Sequence, residues 1–282
     1  MSTKYYYLIA GLPDVAMDDS KPVCSPESFR AEYYGQLSAA DRKLVDLLYL
    51  ETDNRNLLAL MADKQASVEE GGLYTVEELQ EVIDDARAED RYRGECPRYM
   101  YEFVQRQASA EGLAATGFAS DVLAGLYYAY AASTKNTFVN NWFRFNLNMN
   151  NVLSALTARK YHLDVATAVV GDGEIAEALR TNSARDFGLT GTMDEYDDVA
   201  RIADIADLVE REHKIDAIRW NWVEEQSFFD YFTVEKLIAF LVKGQIARRW
   251  ALLDPEEGGR MLRGMIQEMK NVNVPAEFRV NK

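Results

Sequence analysis

Cysteine, histidine and proline are scarce in this sequence, with two, two and six copies among 282 residues. The two thiols, Cys24 and Cys96, are too few for a disulfide framework and have no CxxC spacing. They read as reduced thiols of a cytoplasmic protein. The six prolines and sixteen glycines leave few breaks, which suits long helices with short connections. Positive charge is also short: 31 Lys and Arg stand against 46 Asp and Glu, a formal net charge of −15. That balance argues against nucleic acid as a ligand, because binding it needs a positive field that displaces counterions. The opening residues do not read as a signal peptide, since no long apolar core follows them. The most apolar stretch, 112–132, contains Asp121 and many small residues, so it reads as a buried, closely packed helix and not as a bilayer span.

The hydrophobic content of 48% is enough to fill a core. The dominant residues, Leu, Ala, Glu, Asp, Arg and Met, are mostly good helix formers. The expectation is one all-α domain over 1–282. The opening segment, 4–15, is apolar and stops at Gly11 and Pro13; its periodicity suits a short strand or a first helix equally. A loop with Asp18, Asp19, Ser20 and Pro22 follows. Ser38 precedes a helix starting at Ala39, with Leu44, Leu47 and Leu48 on one face. Thr75 and Glu78 have capping-box spacing and open an acidic helix to about Arg91. A second acidic helix is expected over 194–216, with Val199, Ile202, Ile205 and Val209 inward and its acids outward. Asp254 and Pro255 resemble an N-cap and first helical position. They precede a stripe of Met261, Leu262, Met265, Ile266 and Met269 that reads as core. The tail, 271–282, reads as extended.

Catalytic signatures are few. Glu210 and His213 have the Glu-x-x-His spacing of a helix-borne metal ligand pair, but a di-metal bundle needs a second such pair and two more acids. Arg159, not an acid, lies three residues before His162. The run Val170-Gly171-Asp172-Gly173-Glu174 lacks the lysine of a phosphate loop and reads as a turn. Asp84-Asp85 and Asp197-Asp198 read as solvated helix faces. The expectation is a chain without catalytic residues, metal or cofactor. Tyr127, Tyr128 and Tyr130, and also Phe228, Phe229, Tyr231 and Phe232, read mostly as core packing. Lys243, Arg248, Arg249, Arg260 and Arg263 form a basic stretch. It suits either pairing with Glu256, Glu257 and the acidic helices or docking to an acidic partner.

Three segments echo one another: Asp53-Asn54-Arg55-Asn56-Leu57-Leu58, Asn148-Met149-Asn150-Asn151-Val152-Leu153 and Gln245-Ile246-Ala247-Arg248-Arg249-Trp250. Asn56 to Asn151 is 95 residues and Asn151 to Arg248 is 97. Apolar stripes keep nearly the same register. They are Leu47, Leu50, Leu57 and Met61; Trp142, Phe145, Met149, Val152 and Leu156; and Ala239, Val242, Ile246 and Leu253. Asn54 and Arg249 stand at the stripe positions of the first and third segments. Such spacing predicts related helices near 47–61, 142–156 and 239–253, in units of about 26–110, 111–190 and 191–282. The polar residues of the echo, Asp53, Asn56, Asn148, Asn151, Gln245, Arg248 and Arg249, are the candidates for interface or unit-packing roles.

The third segment, from Val234 through Phe240, Lys243, Gln245, Arg248 and Leu252, resembles the terminal signature of the C subunit of V-type (A-type) ATPases, called subunit d in eukaryotes. The two earlier segments are similar to that family's other two copies. The whole chain, including KYYYLIAGLPD, is also similar to a bacterial family of undetermined function encoded alongside V-type ATPase subunits. Gln245 stands where the C-subunit pattern has an acid, Arg248 where it has Asn, and Trp250 where it has Arg. The resemblance implies three helical units around a pseudo-threefold axis, shaped as a funnel. It also implies a non-catalytic coupler between the membrane rotor ring and the central stalk, peripheral to the inner membrane on its cytoplasmic side and without bilayer insertion. The rival reading is an independent helical adaptor or regulatory protein whose repeats serve packing only.

Overall fold

A computed structural model describes residues 4–19, 21, 23–88, 91–94, 96–108 and 118–253. Among these, the chain forms twelve α-helices and one 3-10 turn, with no strand. Ser20, Pro22 and everything expected of 254–282, including the methionine stripe, Glu256, Glu257, Arg260 and Arg263, lie outside the described residues.

The opening segment is helical. Helix α1 (Tyr6–Ala10) ends at Gly11, whose N–H returns to Tyr7 and Ile9 carbonyls. Helix α2 (Pro26–Glu32) starts from a reciprocal Ser25/Ser28 capping box with proline in its first turn. A 3-10 turn at Tyr34–Gln36 leads into α3 (Ala39–Ala62), whose Ser38 cap accepts from the Asp41 N–H. Thr75 and Glu78 complete the expected capping box of α4 (Val76–Arg87), which stops short of Arg91. Helix α5 (Arg98–Ala108) follows, and then α6 (Ala119–Ala131). Helices α3, α4, α5 and α6 close a four-membered ring of contacts, α6 returning onto α3. The buried Tyr127 hydroxyl seals that return by donating to the Leu47 carbonyl at 2.8 Å.

Helix α7 (Thr137–Lys160) is the hub of the second half. Around it pack α6, α8 (Val165–Ala168), α9 (Glu174–Thr181), α10 (Tyr196–Ala203) and α11 (Leu208–Gln226). The last described helix, α12 (Val234–Ala251), lies on α11 and touches α2, so the last described element meets one of the first. Gly244 permits that approach, since a Cβ there would stand 3.0 Å from the Cβ of Cys24. Cys24 and Cys96 are both free and buried.

Two expectations need correction. The acidic stretch 194–216 is not one helix: it breaks between Ala203 and Leu208, where Asp207 caps α11 by accepting from the Glu210 N–H. Val199 and Ile202 are buried as expected, but Val209 is exposed and Asp216 is buried. An aspartate in the first position of a helix cap competes with helix continuation, which explains the break. The second correction concerns Phe228, Phe229, Tyr231 and Phe232, which lie exposed in the turn between α11 and α12.

Candidate functional site

The three echo segments lie on α3, α7 and α12, of 24, 24 and 18 residues. On α3 the stripe residues Leu47, Leu50 and Leu57 are buried, with Asn54 among them. On α7 Trp142, Phe145, Met149 and Val152 are buried. On α12 burial runs through Ala239, Val242 and Ile246 and then stops, because Arg249 and Leu253 are exposed.

Two echo residues perform the same task. The buried Asn56 amide donates to the Glu69 carbonyl at 3.0 Å and accepts from the Glu69 N–H at 2.7 Å. The buried Asn151 amide donates to the Val170 carbonyl at 2.8 Å and accepts from the Val170 N–H at 2.9 Å. Each asparagine thereby bonds both the N–H and the carbonyl of one residue in the segment that follows its long helix. A glycine turn comes next in both cases. Gly71 has φ +94°, and Gly171 and Gly173 have φ +70° and +137°, values that favour glycine. A short helix then begins, α4 in one case and α9 in the other. The run Val170-Gly171-Asp172-Gly173-Glu174 is thus the turn it reads as. It is also the partner of an asparagine clamp, which a short glycine pattern does not reveal.

Three residues before each clamp the two helices differ. Asp53 is fully buried, and its carboxylate accepts from the N–H groups of Leu73 at 3.0 Å and Tyr74 at 3.2 Å. Burial, opposed by those two N–H donors, pushes its carboxyl from 3.8 up to about 6. Asn148 is half-buried and lines a groove of about 1000 Å³ beside Arg144, Gly171 and Gly173. Arg248, at the third clamp position, has its guanidinium 4.0 Å from Glu27 on α2, and the segment from Asp254 onward lies outside the described residues.

The three long helices converge on one cleft of about 250 Å³. Helix α3 contributes Leu48 and Glu51; α7 contributes Trp142, Phe143, Asn146 and Asn150; α12 contributes Val242, Gln245, Ile246 and Arg249. Helix α11 closes the side with Asp216 and Arg219. Asp216 is the centre of a polar network. It accepts from Arg219 at 2.9 Å, from Arg249 at 3.1 Å and from the Trp250 indole N–H at 3.0 Å. Arg219 also donates to Asn146 at 3.0 Å and Asn150 at 3.1 Å, binding α11 to α7. Arg249 donates to Glu212 at 2.8 Å, binding α12 to α11. Trp250 thus adds an indole donor to the two guanidinium donors on Asp216.

Of the sequence candidates, Gln245 and Arg249 reach this cleft, whereas Asp53, Asn56 and Asn151 bond inside the chain. Sequence reasoning missed Asp216, Arg219, Asn146, Asn150 and Trp250. The i,i+3 spacing of Asp216 and Arg219 and the i,i+4 spacing of Asn146 and Asn150 were the available signals.

The cleft's chemistry is that of a clamp. Burial, and then the nearby Glu51 carboxylate, push the Tyr128 phenol up to about 12, so it stays protonated at neutral pH. Glu210 is taken by Lys214 at 3.0 Å, and His213 lies 3.0 Å from Asp18 with its ring edge against Trp250. Among the described residues, no three His, Cys, Asp or Glu side chains converge to hold a metal. No described helix is long and apolar enough to cross a membrane. Of the basic stretch, Lys243 pairs with Glu224 at 2.8 Å and Arg249 with Glu212 and Asp216, all on α11. No curated protein and no solved structure matches the chain. One family model, described as "Protein of unknown function (DUF2764)", matches residues 1–272, and the chain belongs to that family.

Proposed function

We propose that this chain is a non-catalytic coupling subunit of a V-type ATPase, seated between the membrane rotor ring and the central stalk on the cytoplasmic side. The observation that carries the reading is the recurrence of one device on α3 and α7: a long helix, an asparagine clamp, a glycine turn and a short helix. Repetition of a helical unit is what the resemblance to C subunits requires, with the convergence of α3, α7 and α12 on one cleft as its third part. A pseudo-threefold funnel is the arrangement this reading assigns to the three units. The chain's role is then mechanical, with nucleotide hydrolysis and ion transport carried by other subunits.

A tagged copy purified from detergent-solubilised native membranes tests the reading. Ring and stalk subunits are expected to co-elute in fixed stoichiometry. Elution of the chain alone, beside an intact ATPase that lacks it, contradicts the proposal.

The adaptor reading draws on a different observation. A cleft of about 250 Å³ is smaller than the roughly 300–1,000 Å³ of small-molecule pockets, and its charged groups are matched within the chain, as repeats that serve packing only would have them. A soluble partner recovered in place of ATPase subunits favours that reading.

A further inference from the structure

A groove of about 310 Å³ lies where α7, α10 and α11 meet. Its walls are mostly apolar: Leu153 and Ala158 of α7, Leu163 and Ala168 after it, and Ala203 and Ile215 of α10 and α11. Leu163 is 64% exposed within it. Leu208, 63% exposed, precedes Arg211, Glu212 and Ile215 of the groove by three, four and seven positions. It therefore extends the groove along the same side of α11. An apolar helix laid into such a groove would use anchors at the same spacing.

The place where the described chain ends points to the occupant. Helices α11 and α12 run antiparallel in a fixed register: the Lys243 ammonium lies over the Trp220 ring, Arg249 bonds Glu212 at 2.8 Å, and Trp250 meets His213 at 5.0 Å. The same register brings Leu253, the last described residue, beside 208–210 of α11, at the mouth of the groove. The sequence continues from there through 254–282, with Met261, Leu262, Met265, Ile266 and Met269 at helical spacing. As a helix that stripe is about 12 Å long, and Leu208 to Ile215 spans about 10 Å of α11. Residues 254–259 reach up to about 20 Å when extended, enough to turn the chain back. Charge agrees as well. Between 260 and 270, Arg260, Arg263 and Lys270 stand against Glu268 alone, in a chain of net −15. Asp204 and Asp207, next to Ala203 and Leu208, are exposed and hold no ion pair among the described residues. A segment tethered by a short linker meets such a surface at an effective concentration of about millimolar, which a separate partner does not reach.

We propose that this groove is the docking site of the chain's own C-terminal segment, with residues 260–270 laid in it as a helix, methionine stripe inward. The contact is internal to the chain and stands apart from the coupler reading, so either can fail without the other. Hydrogen exchange of the full chain, read by mass spectrometry at sub-micromolar concentration, tests it. Amides of 261–269 should exchange far more slowly than those of an unstructured peptide. Leu163→Glu and Leu208→Glu place a charge in the groove and should each speed that exchange by at least about tenfold, while α3 and α4 keep their wild-type rates. Met265→Asp, which leaves the groove itself intact, should do the same. Gln267→Glu, on the side opposite the stripe, should leave the exchange unchanged. Free-peptide rates at 261–269 in the wild-type chain overturn the proposal. So does protection that survives Leu163→Glu and Leu208→Glu, because the stripe then packs elsewhere. Protection that appears only at tens of micromolar, together with a dimer in sedimentation velocity, also overturns it, because a second copy is then the occupant.

Discussion

Asn56 and Asn151 are buried, and each bonds both the N–H and the carbonyl of a single residue, Glu69 and Val170. An alanine at either position removes both bonds, and water can replace them more readily at the exposed Glu69 than at the half-buried Val170. A hydrogen bond of this kind is worth about 0.5–1.5 kcal/mol and a group left without water about 1–3 kcal/mol, so Asn56→Ala should destabilise the chain by roughly 1–3 kcal/mol in urea unfolding and Asn151→Ala by roughly 2–5 kcal/mol. The larger loss is expected at Asn151. Asp53 gives a pH signature. Its carboxyl titrates near 3.8 ordinarily and at about 6 in the fold, so the folded state holds the proton longer. Stability from this residue is full below the lower value, falls as pH rises toward about 6, and is flat above. Two pKa units correspond to about 3 kcal/mol, as an order of magnitude. Asp53→Asn should remove that slope from stability measured between pH 4 and 7. Gly72 is locked to the same carboxylate, since a Cβ there would lie 2.3 Å from an Asp53 oxygen. Gly72→Ala must therefore break the bonds to Leu73 and Tyr74, and should lower the melting temperature as Asp53→Ala does.

Helix boundaries set by caps were legible from the sequence. Ser38 and Thr75 accept the first-turn N–H groups of α3 and α4, as their spacing predicts. The phase of the long helices was legible too, because an apolar stripe every three or four residues can face only one way. The break before Leu208 was not, since Asp207 is one acid among many until its side chain is seen capping α11. Nor was the Asp216 network. Its members come from α7, α11 and α12, and only the tertiary fold brings Asn146 within 3.0 Å of Arg219, 73 residues away. The exposed aromatics between α11 and α12 were misjudged because composition cannot distinguish a core cluster from a surface one. At this scale the central prediction concerns Arg249. Replacing it by glutamate places a third carboxylate beside Asp216 and Glu212 and should destabilise the isolated chain. Removing one partner from a buried pair costs about 3–5 kcal/mol, and Arg249 is half-exposed, so the lower end of that range or less is expected. Arg248→Glu, at a residue whose ion pair among the described residues is the 4.0 Å one with the half-exposed Glu27, should change the melting temperature far less.

On the scale of the whole molecule, two halves are joined through α6, which packs on both α3 and α7, and the chain closes on itself where α12 reaches α2. Such closure, with α11 pinned to α7 and α12 by the Asp216 network, suits the described body to transmit force, as the proposed coupling role requires. A coupler of this kind is needed for ion movement and not for hydrolysis. The most direct measurement is ATP-driven ion uptake into membrane vesicles from cells that lack the chain, with ATP hydrolysis recorded on the same vesicles. Hydrolysis that persists while uptake is lost, with uptake restored when the purified chain is added back, is the predicted result. Uptake at the wild-type rate and yield per ATP in its absence would contradict the account.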